Sequence, residues 1–214
     1  MDRLQRYAPL SGVAFALLFL VGNALWGLEQ PAIGADPGEA RDFYRDTSAG
    51  ILIGGSLSLV SIALLAWFGS ILRDALTEAE SDHATGLPLT AFGGILLVCA
   101  VGLGAETINM VGAVRAEDGG GLSPAAAQIY LDVSSALGYW AAGAALAVVA
   151  ASTAAVAIRT GRILPRWLAW ATLVLAAALM TPVLTTPAGK YGLSLPLLLL
   201  AAISVSIYRE RASG

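Results

Sequence analysis

The sequence predicts an all-α, polytopic membrane protein with six transmembrane helices. A helix needs about 20 mainly apolar residues to cross the hydrocarbon core of a bilayer, because each residue rises only ~1.5 Å. Charged residues make up 13% of the chain, against about 25% in an ordinary soluble domain. Six long apolar stretches reach or approach the required length: Ala8–Leu28, Ala49–Leu72, Leu87–Ala113, Val133–Ile158, Leu164–Leu184 and Tyr191–Tyr208.

The connections between these predicted spans are short. They are too short to bury a core of their own, so we expect residues 1–214 to form a single membrane domain. The first apolar stretch is longer than the ~7–15 residues of a signal peptide core. We therefore expect it to remain as the first span.

The composition argues against several classes of function. The net charge is −3 and no cluster of Lys and Arg is present, so the chain lacks the basic face that nucleic acid binding requires. One histidine, His83, and one cysteine, Cys99, are too few for a bis-histidine haem or a zinc site. The sequence predicts no cofactor, and it offers no histidine or lysine within the spans to activate a serine nucleophile.

The positive-inside rule predicts the orientation of the spans. It favours cytoplasmic N- and C-termini, with the protein in a bacterial inner membrane. Eight basic residues then lie inside and four outside. The inner residues are Arg3, Arg6, Arg73, Arg159, Arg162, Arg166, Arg209 and Arg211, and the outer ones are Arg41, Arg45, Arg115 and Lys190.

Two predicted outer loops resemble each other. Each carries a helix-capping residue before a proline, Asp36 before the second span and Ser123 before the fourth, and each is expected to form a short helix that turns into the membrane. Rare polar residues then match at a constant offset: Asn23 with Asn109, Tyr44 with Tyr130, Asp46 with Asp132, Ser48 with Ser134 and Arg73 with Arg159.

This pattern favours a parallel repeat of two-helix hairpins. The copies would cover residues 8–76 and 87–162, and residues 164–208 would form a degenerate third hairpin. The alternative is that tyrosine, aspartate and serine at a helix entrance are generic interface and capping residues. Small residues at helical spacing, such as Gly50 and Gly54, indicate close packing between the helices.

Glu106 is the clearest candidate for a functional residue. Ionisable residues inside membrane spans are costly and are usually functional. Asn109 follows on the same helical face, and Asn23 lies at the matching depth of the first span. We expect a polar pocket that opens to the outer side and is formed by Glu106, Asn109, Asn23, Asp46, Asp132, Tyr44, Tyr130 and Arg115.

A structural role for Glu106 is the alternative. Its carboxyl could pair with Arg115, or could bond to Asn23 and Tyr130, and would then join two hairpins. Asn23 and Asn109 could likewise form interhelical hydrogen bonds, and Tyr44 and Tyr130 could be interfacial belt residues.

The sequence resembles the uncharacterised six-span membrane proteins of actinobacteria that are grouped as domains of unknown function. The resemblance covers the whole chain. It depends on the N-terminal Arg3 and Arg6, the Asn23-Ala24-Leu25-Trp26 end of the first span and the polar loop that follows. It implies a fold and no activity.

Three classes of function remain open. The first is a non-enzymatic membrane protein that binds a small molecule or ion among spans one to four, for transport or sensing. The second is an accessory or scaffold subunit that packs against another membrane protein or a second copy. The third is an intramembrane enzyme acting on lipid, which would need paired carboxylates such as Asp46, Asp132 and Glu106.

Overall fold

The computed structural model describes residues 7–81, 85–118, 121–181 and 194–213, and these ranges are helical with no strand. Arg3, Arg6, His83, Lys190 and the part of the chain between residues 181 and 194 lie outside the described residues. The helices are α1 (Ser11–Ala24), which follows a 3-10 turn (Ala8–Leu10), α2 (Pro37–Ala79), α3 (Leu87–Glu117), α4 (Pro124–Ser135), α5 (Ala142–Thr160), α6 (Arg166–Leu179) and α7 (Ser194–Ser213).

The all-α class is confirmed, and three helical segments are long and apolar enough to cross a membrane. These are Pro37–Ala79, Leu87–Glu117 and Pro124–Thr160. The segments Ala8–Ala24 and Arg166–Leu179 are apolar but shorter. A helical membrane protein is therefore the supported architecture, and the full set of six spans stays a prediction.

The two expected helix starts are confirmed. The Asp36 carboxylate accepts a hydrogen bond from the Gly38 amide at 2.8 Å, and the Ser123 hydroxyl accepts one from the Ala126 amide at 3.2 Å. Each side chain satisfies an amide that the first helical turn leaves unpaired. The expected short turning helices are absent from these positions, because each first turn continues directly into a long helix.

A π-helical segment, Ala136–Ala141, joins α4 to α5. The three pieces form one continuous helix, which we call α4–π–α5. A π segment shifts the register of the side chains that follow it, and such segments are often found at functional sites. Nothing in the sequence analysis anticipated it.

Glycines set the contact between α1 and α2. A Cβ atom on Gly22 would lie 2.6 Å from the Gly54 carbonyl oxygen, and one on Gly54 would overlap the Gly22 carbonyl oxygen. Gly50 meets the backbone of Leu25 in the same way. The two backbones therefore touch without intervening side chains, as the spacing of Gly50 and Gly54 indicated.

The remaining helices pack in a simple order. Helix α2 packs on α3, α3 on α5, and α5 on α6, while α7 packs on α1. The main core lies between them and includes Leu65, Phe68, Ile95, Val149 and Ile203. A smaller core includes Trp26, Phe43, Tyr44, Ile51 and Leu131.

The two ends of the bundle differ in their polar contacts. At one end, which we call the Arg159 end, Arg159 pairs with the buried Glu80, and the rings of Tyr7 and Tyr208 stack with centroids 6.0 Å apart. The opposite end carries residues 25–36, and we call it the Gln30 end. The first and last described segments thus meet at the Arg159 end.

Candidate functional site

Glu106 and Asn109 lie together in the interior of the bundle. They are three residues apart on α3, and this spacing places them on one face of the helix. Both side chains are almost fully enclosed, at 5% and 4% exposure. The carboxyl of Glu106 faces α2, where Gly55 leaves room for it and the Ser58 hydroxyl lies opposite.

A cavity with a volume of ≈ 100 Å³ adjoins this pair. That volume exceeds several-fold what one water molecule requires. Its walls come from α1, α2, α3, α4–π–α5 and the start of α7, and most of them are apolar. The polar and aromatic residues that line it are Phe15, Phe19, Asn23, Trp26, Gln30, Glu106, Asn109, Ser134, Ser135 and Tyr139.

Three polar atoms around the cavity are buried and poorly satisfied. Trp26 Nε1 has no hydrogen-bond partner among the described residues, and Glu106 Oε2 and Ser58 Oγ have none there apart from each other. Glu106 and Trp26 line the cavity directly, whereas Ser58 faces the Glu106 carboxyl. A buried polar group without a partner costs about 1–3 kcal/mol, and a charged one costs more. Such a cluster is unusual in a packed interior.

Asn109 is held rigidly by two neighbouring helices. Its Oδ1 accepts hydrogen bonds from the Tyr44 hydroxyl at 2.9 Å and from the Ser134 hydroxyl at 2.8 Å. An amide oxygen has two lone pairs, so both are in use. Tyr44 does not line the cavity; its contribution is to fix Asn109 from α2.

Gln30 joins the segment after α1 to α4–π–α5. Its Nε2 donates to Ser135 Oγ at 3.0 Å, and its Oε1 accepts from the Tyr139 hydroxyl at 3.1 Å. Nearby, the Gly34 amide donates to Asp132 Oδ1 at 2.8 Å. Gln30 is 5% exposed and lines the cavity, so its side chain lies beside the cavity at the Gln30 end of the bundle.

The structure brings three of the eight predicted residues to the cavity. Glu106 and Asn109 line it from α3, and Asn23 lines it from α1 while its Nδ2 donates to the Phe19 carbonyl at 3.0 Å. The bond between Asn23 and Glu106 that the structural alternative proposed is absent from the hydrogen bonds of the described residues.

The other predicted residues lie elsewhere. Asp46 is exposed and pairs with Arg45 at 2.9 Å, while Asp132 binds the Gly34 amide. Tyr130 is half-buried against the smaller core. Arg115 is exposed in a separate groove that it shares with Asp118, and none of the ion pairs between described residues joins it to Glu106.

Several residues of the site were not predicted as ligand contacts. They are Gln30, Ser58, Ser134, Ser135 and Tyr139 together with the aromatic residues Phe15, Phe19 and Trp26. Gln30, Ser135 and Tyr139 meet only because residues distant in sequence fold together at the π segment. Ser58 is one of the serines of the second span, where the sequence offers no histidine or lysine to activate a nucleophile. The one available signal was the helical position of Ser58 beside the packing glycines Gly54 and Gly55.

Comparisons with known proteins give no match. The chain matches no protein-family model, no curated protein and no solved structure. The resemblance to six-span actinobacterial proteins therefore stays a prediction, and the function has to be argued from the chemistry of the cavity. Within the described ranges, no group of three or more His, Cys, Asp or Glu side chains could hold a metal ion.

Proposed function

We propose that this protein binds a small molecule in the cavity beside Glu106, within a six-span inner-membrane protein whose two termini are cytoplasmic. The observation that carries the proposal is the environment of Glu106. Its carboxyl is enclosed at 5% exposure, lines a cavity and lacks a cationic partner among the described residues.

The cost of this arrangement supports a binding role. A carboxyl that only filled space would be replaced at a gain by an apolar side chain of similar volume. A carboxyl that joined two hairpins as the structural alternative proposes would pair with Arg115, Asn23 or Tyr130, and none of these supplies a partner. Its polar neighbour on α2, the Ser58 hydroxyl, is neutral and leaves the charge of a carboxylate without a counter-charge. A bound molecule that carries a hydrogen-bond donor would satisfy the Glu106 carboxyl.

The route into the cavity is proposed to run between α1 and α4–π–α5. Both helices line the cavity, but they do not form one of the packed helix pairs in the described part of the chain. Phe19 and Asn23 on α1 are half-buried on one side of this route. Gly138 and Tyr139 on the π segment are half-buried on the other side. Gln30 bridges the two walls at the end predicted to face outward. Binding of this kind serves either transport or sensing.

The two other classes of function gain less support. A scaffold would present its small residues to a partner, but Gly50, Gly54 and Gly94 are occupied by contacts inside the chain. An enzyme built on paired carboxylates would need Asp46 or Asp132 beside Glu106, and neither lines the cavity.

Filling the cavity tests the proposal. Gly138 lines the cavity, and a Cβ atom at this position would meet no atom within 4 Å. The variant Gly138→Leu should therefore fold and should abolish saturable binding of a neutral phenylalkyl probe, 4-phenylbutanol, to the protein in phosphatidylcholine nanodiscs. Gly93→Leu is the matched control, because Gly93 is an exposed helical glycine with equally open surroundings and lies outside the cavity.

Equal binding by the wild type and Gly138→Leu would reject the cavity as the site. Absence of saturable binding in the wild type would reject the proposed function and favour the scaffold. Both measurements need empty nanodiscs as the reference, because the probe also partitions into lipid.

The proposed orientation has a separate test. Cys99 is the only cysteine of the chain, so Cys99→Ser gives a background without thiols. In intact cells, a membrane-impermeant maleimide should label Asp36→Cys but not Arg162→Cys. The reverse pattern would place the N-terminus outside.

A further inference from the structure

We infer that the ligand is an organic cation, a protonated or quaternary amine that carries an apolar body. This inference rests on the proposed binding function and narrows it to one chemical class. It depends on three properties of the cavity: the sign of its charge, the nature of its walls and the number of oxygen atoms free to bind a ligand.

Any charge that the described lining of the cavity carries is negative. Glu106 is the only Asp, Glu, Lys, Arg or His among the described lining residues. Two basic side chains of the bundle lie away from the cavity. Arg115 is exposed in another groove, and Arg159 pairs with Glu80 at the Arg159 end of the bundle. A carboxylate in a low-dielectric interior is stabilised by a partner of opposite charge, and a carboxyl without such a partner is neutralised by a proton instead. A ligand cation would supply that partner, whereas an anion would add a second buried negative charge.

The walls of the cavity suit an apolar, cationic molecule. Phe15, Phe19, Trp26 and Tyr139 place four aromatic rings around a lining that is otherwise largely aliphatic. Aromatic faces attract ammonium groups, most strongly where water is excluded. The aliphatic walls would bury the rest of the ligand and gain from the hydrophobic effect. A small, fully polar molecule would not use these surfaces.

The available oxygen atoms argue against a metal ion. Hard cations such as Ca²⁺ or Mg²⁺ take about six or more oxygen ligands. Asn109 Oδ1 already accepts two hydrogen bonds, and Gln30 Oε1 already accepts one from Tyr139. The Glu106 carboxyl, which has the Ser58 hydroxyl beside it, is the main acceptor with lone pairs left for a ligand. An ammonium group can be satisfied by one carboxylate together with aromatic faces, so it matches what the cavity offers.

A series of three matched probes tests this inference. The probes are 4-phenylbutylamine, 4-phenylbutanol and 4-phenylbutyrate. Each has a phenyl ring on a four-carbon chain, with the carboxylate carbon as the fourth in the butyrate, and they are cationic, neutral and anionic at pH 7.5. Binding to the full chain in phosphatidylcholine nanodiscs should follow the order amine, alcohol, carboxylate. The amine should bind about tenfold to hundredfold more tightly than the alcohol, as expected for a hydrogen bond to a charged group.

Substitution of the carboxyl should remove this preference. In Glu106→Gln the affinity for the amine should fall to that for the alcohol, while the affinity for the alcohol stays within about threefold of the wild type. Glu117→Gln is the matched control, because Glu117 is an exposed carboxylate at the end of the same helix and should leave all three affinities unchanged.

Two results would overturn the inference. The first is a wild type that binds the alcohol as tightly as the amine; the second is a Glu106→Gln variant that keeps the preference for the amine. Either result leaves the proposed function intact if alcohol binding is saturable and is lost in Gly138→Leu. If Glu106→Gln does not fold, the order of the three probes in the wild type decides the matter alone.

Discussion

The Tyr139 hydroxyl donates a hydrogen bond to Gln30 Oε1 across 109 residues of sequence, at a distance of 3.1 Å. The Nε2 of the same Gln30 side chain donates a hydrogen bond to Ser135 Oγ at 3.0 Å. The segment after α1 is thereby fastened to the π segment that forms one wall of the cavity. Both hydrogen bonds join side chains, so this contact can break without the loss of a backbone hydrogen bond of either helix.

Gln30 should control the rate of exchange between the cavity and its surroundings. In Gln30→Ala both hydrogen bonds are lost, so association and dissociation of 4-phenylbutylamine should each accelerate, by about threefold or more, with a smaller change in affinity. Stopped-flow fluorescence of the tryptophans would measure both rates. Gln128→Ala, at a half-buried glutamine of α4 outside the cavity, should leave them unchanged. Identical rates in Gln30→Ala and the wild type would show that Gln30 does not gate the cavity.

Tyr44 and Tyr130 should differ in their contribution to stability. Tyr44 is fully buried and donates to Asn109 Oδ1, whereas Tyr130 is half-buried. Tyr44→Phe should lower the free energy of unfolding by about 1 kcal/mol, and Tyr130→Phe should change it by less than about 0.5 kcal/mol. Reversible unfolding in mixed micelles would measure both. Equal effects would indicate that the two positions are equivalent, as in the simple repeat.

The contact between α1 and α2 should tolerate no side chain at Gly54. A methyl group there overlaps the Gly22 carbonyl oxygen and crowds the Trp26 indole, so the helices must separate. Gly54→Ala should destabilise the protein by about 1–3 kcal/mol. Gly93→Ala, at a helical glycine with nothing within 4 Å, should cause no loss. A stable Gly54→Ala with unchanged unfolding would contradict the close approach of the two backbones.

The ion pair at the Arg159 end should be structural. Arg159 is half-exposed, while the Glu80 side chain is 3% exposed and also accepts a hydrogen bond from Thr85 at 2.6 Å. Arg159→Met leaves a buried carboxyl without its cation and should cost about 1–3 kcal/mol. Arg162→Met, at an exposed arginine of the next loop, serves as the control. Arg159→Met should lower the free energy of unfolding by less in a Glu80→Gln background than in the wild type. An equal loss in both backgrounds would show that the effect of Arg159→Met does not come from its pair with Glu80.

The sequence predicted the parts of the fold that depend on local physics. The long apolar stretches identified the helices, and the capping residues Asp36 and Ser123 identified the helix starts that the structure contains. The burial of Glu106 and Asn109 followed from their helical spacing inside an apolar span. The spacing of Gly50 and Gly54 likewise indicated a close helix contact.

The features of the site that could not be predicted from the sequence depend on contacts between residues far apart in the chain. The grouping of Gln30 with Ser135 and Tyr139 requires the π segment, which has no sequence signature in the sense that a cap or a glycine pair has one. Arg115 was placed near Glu106 by sequence distance alone, whereas its side chain lies in a different groove. The offset that relates Tyr44 to Tyr130 gives no information on burial, and the two differ in it.

The most direct test of the account is the position of a bound amine. A structure of the full chain with 4-(4-bromophenyl)butylamine, with the bromine located by its anomalous signal, would show where the ligand lies. The account predicts the ammonium nitrogen at about 3 Å from the Glu106 carboxyl and the bromophenyl ring between α1 and α4–π–α5. A bromine site at the lipid-facing surface, with the cavity lined as before and Glu106 bonded only to Ser58, would contradict it.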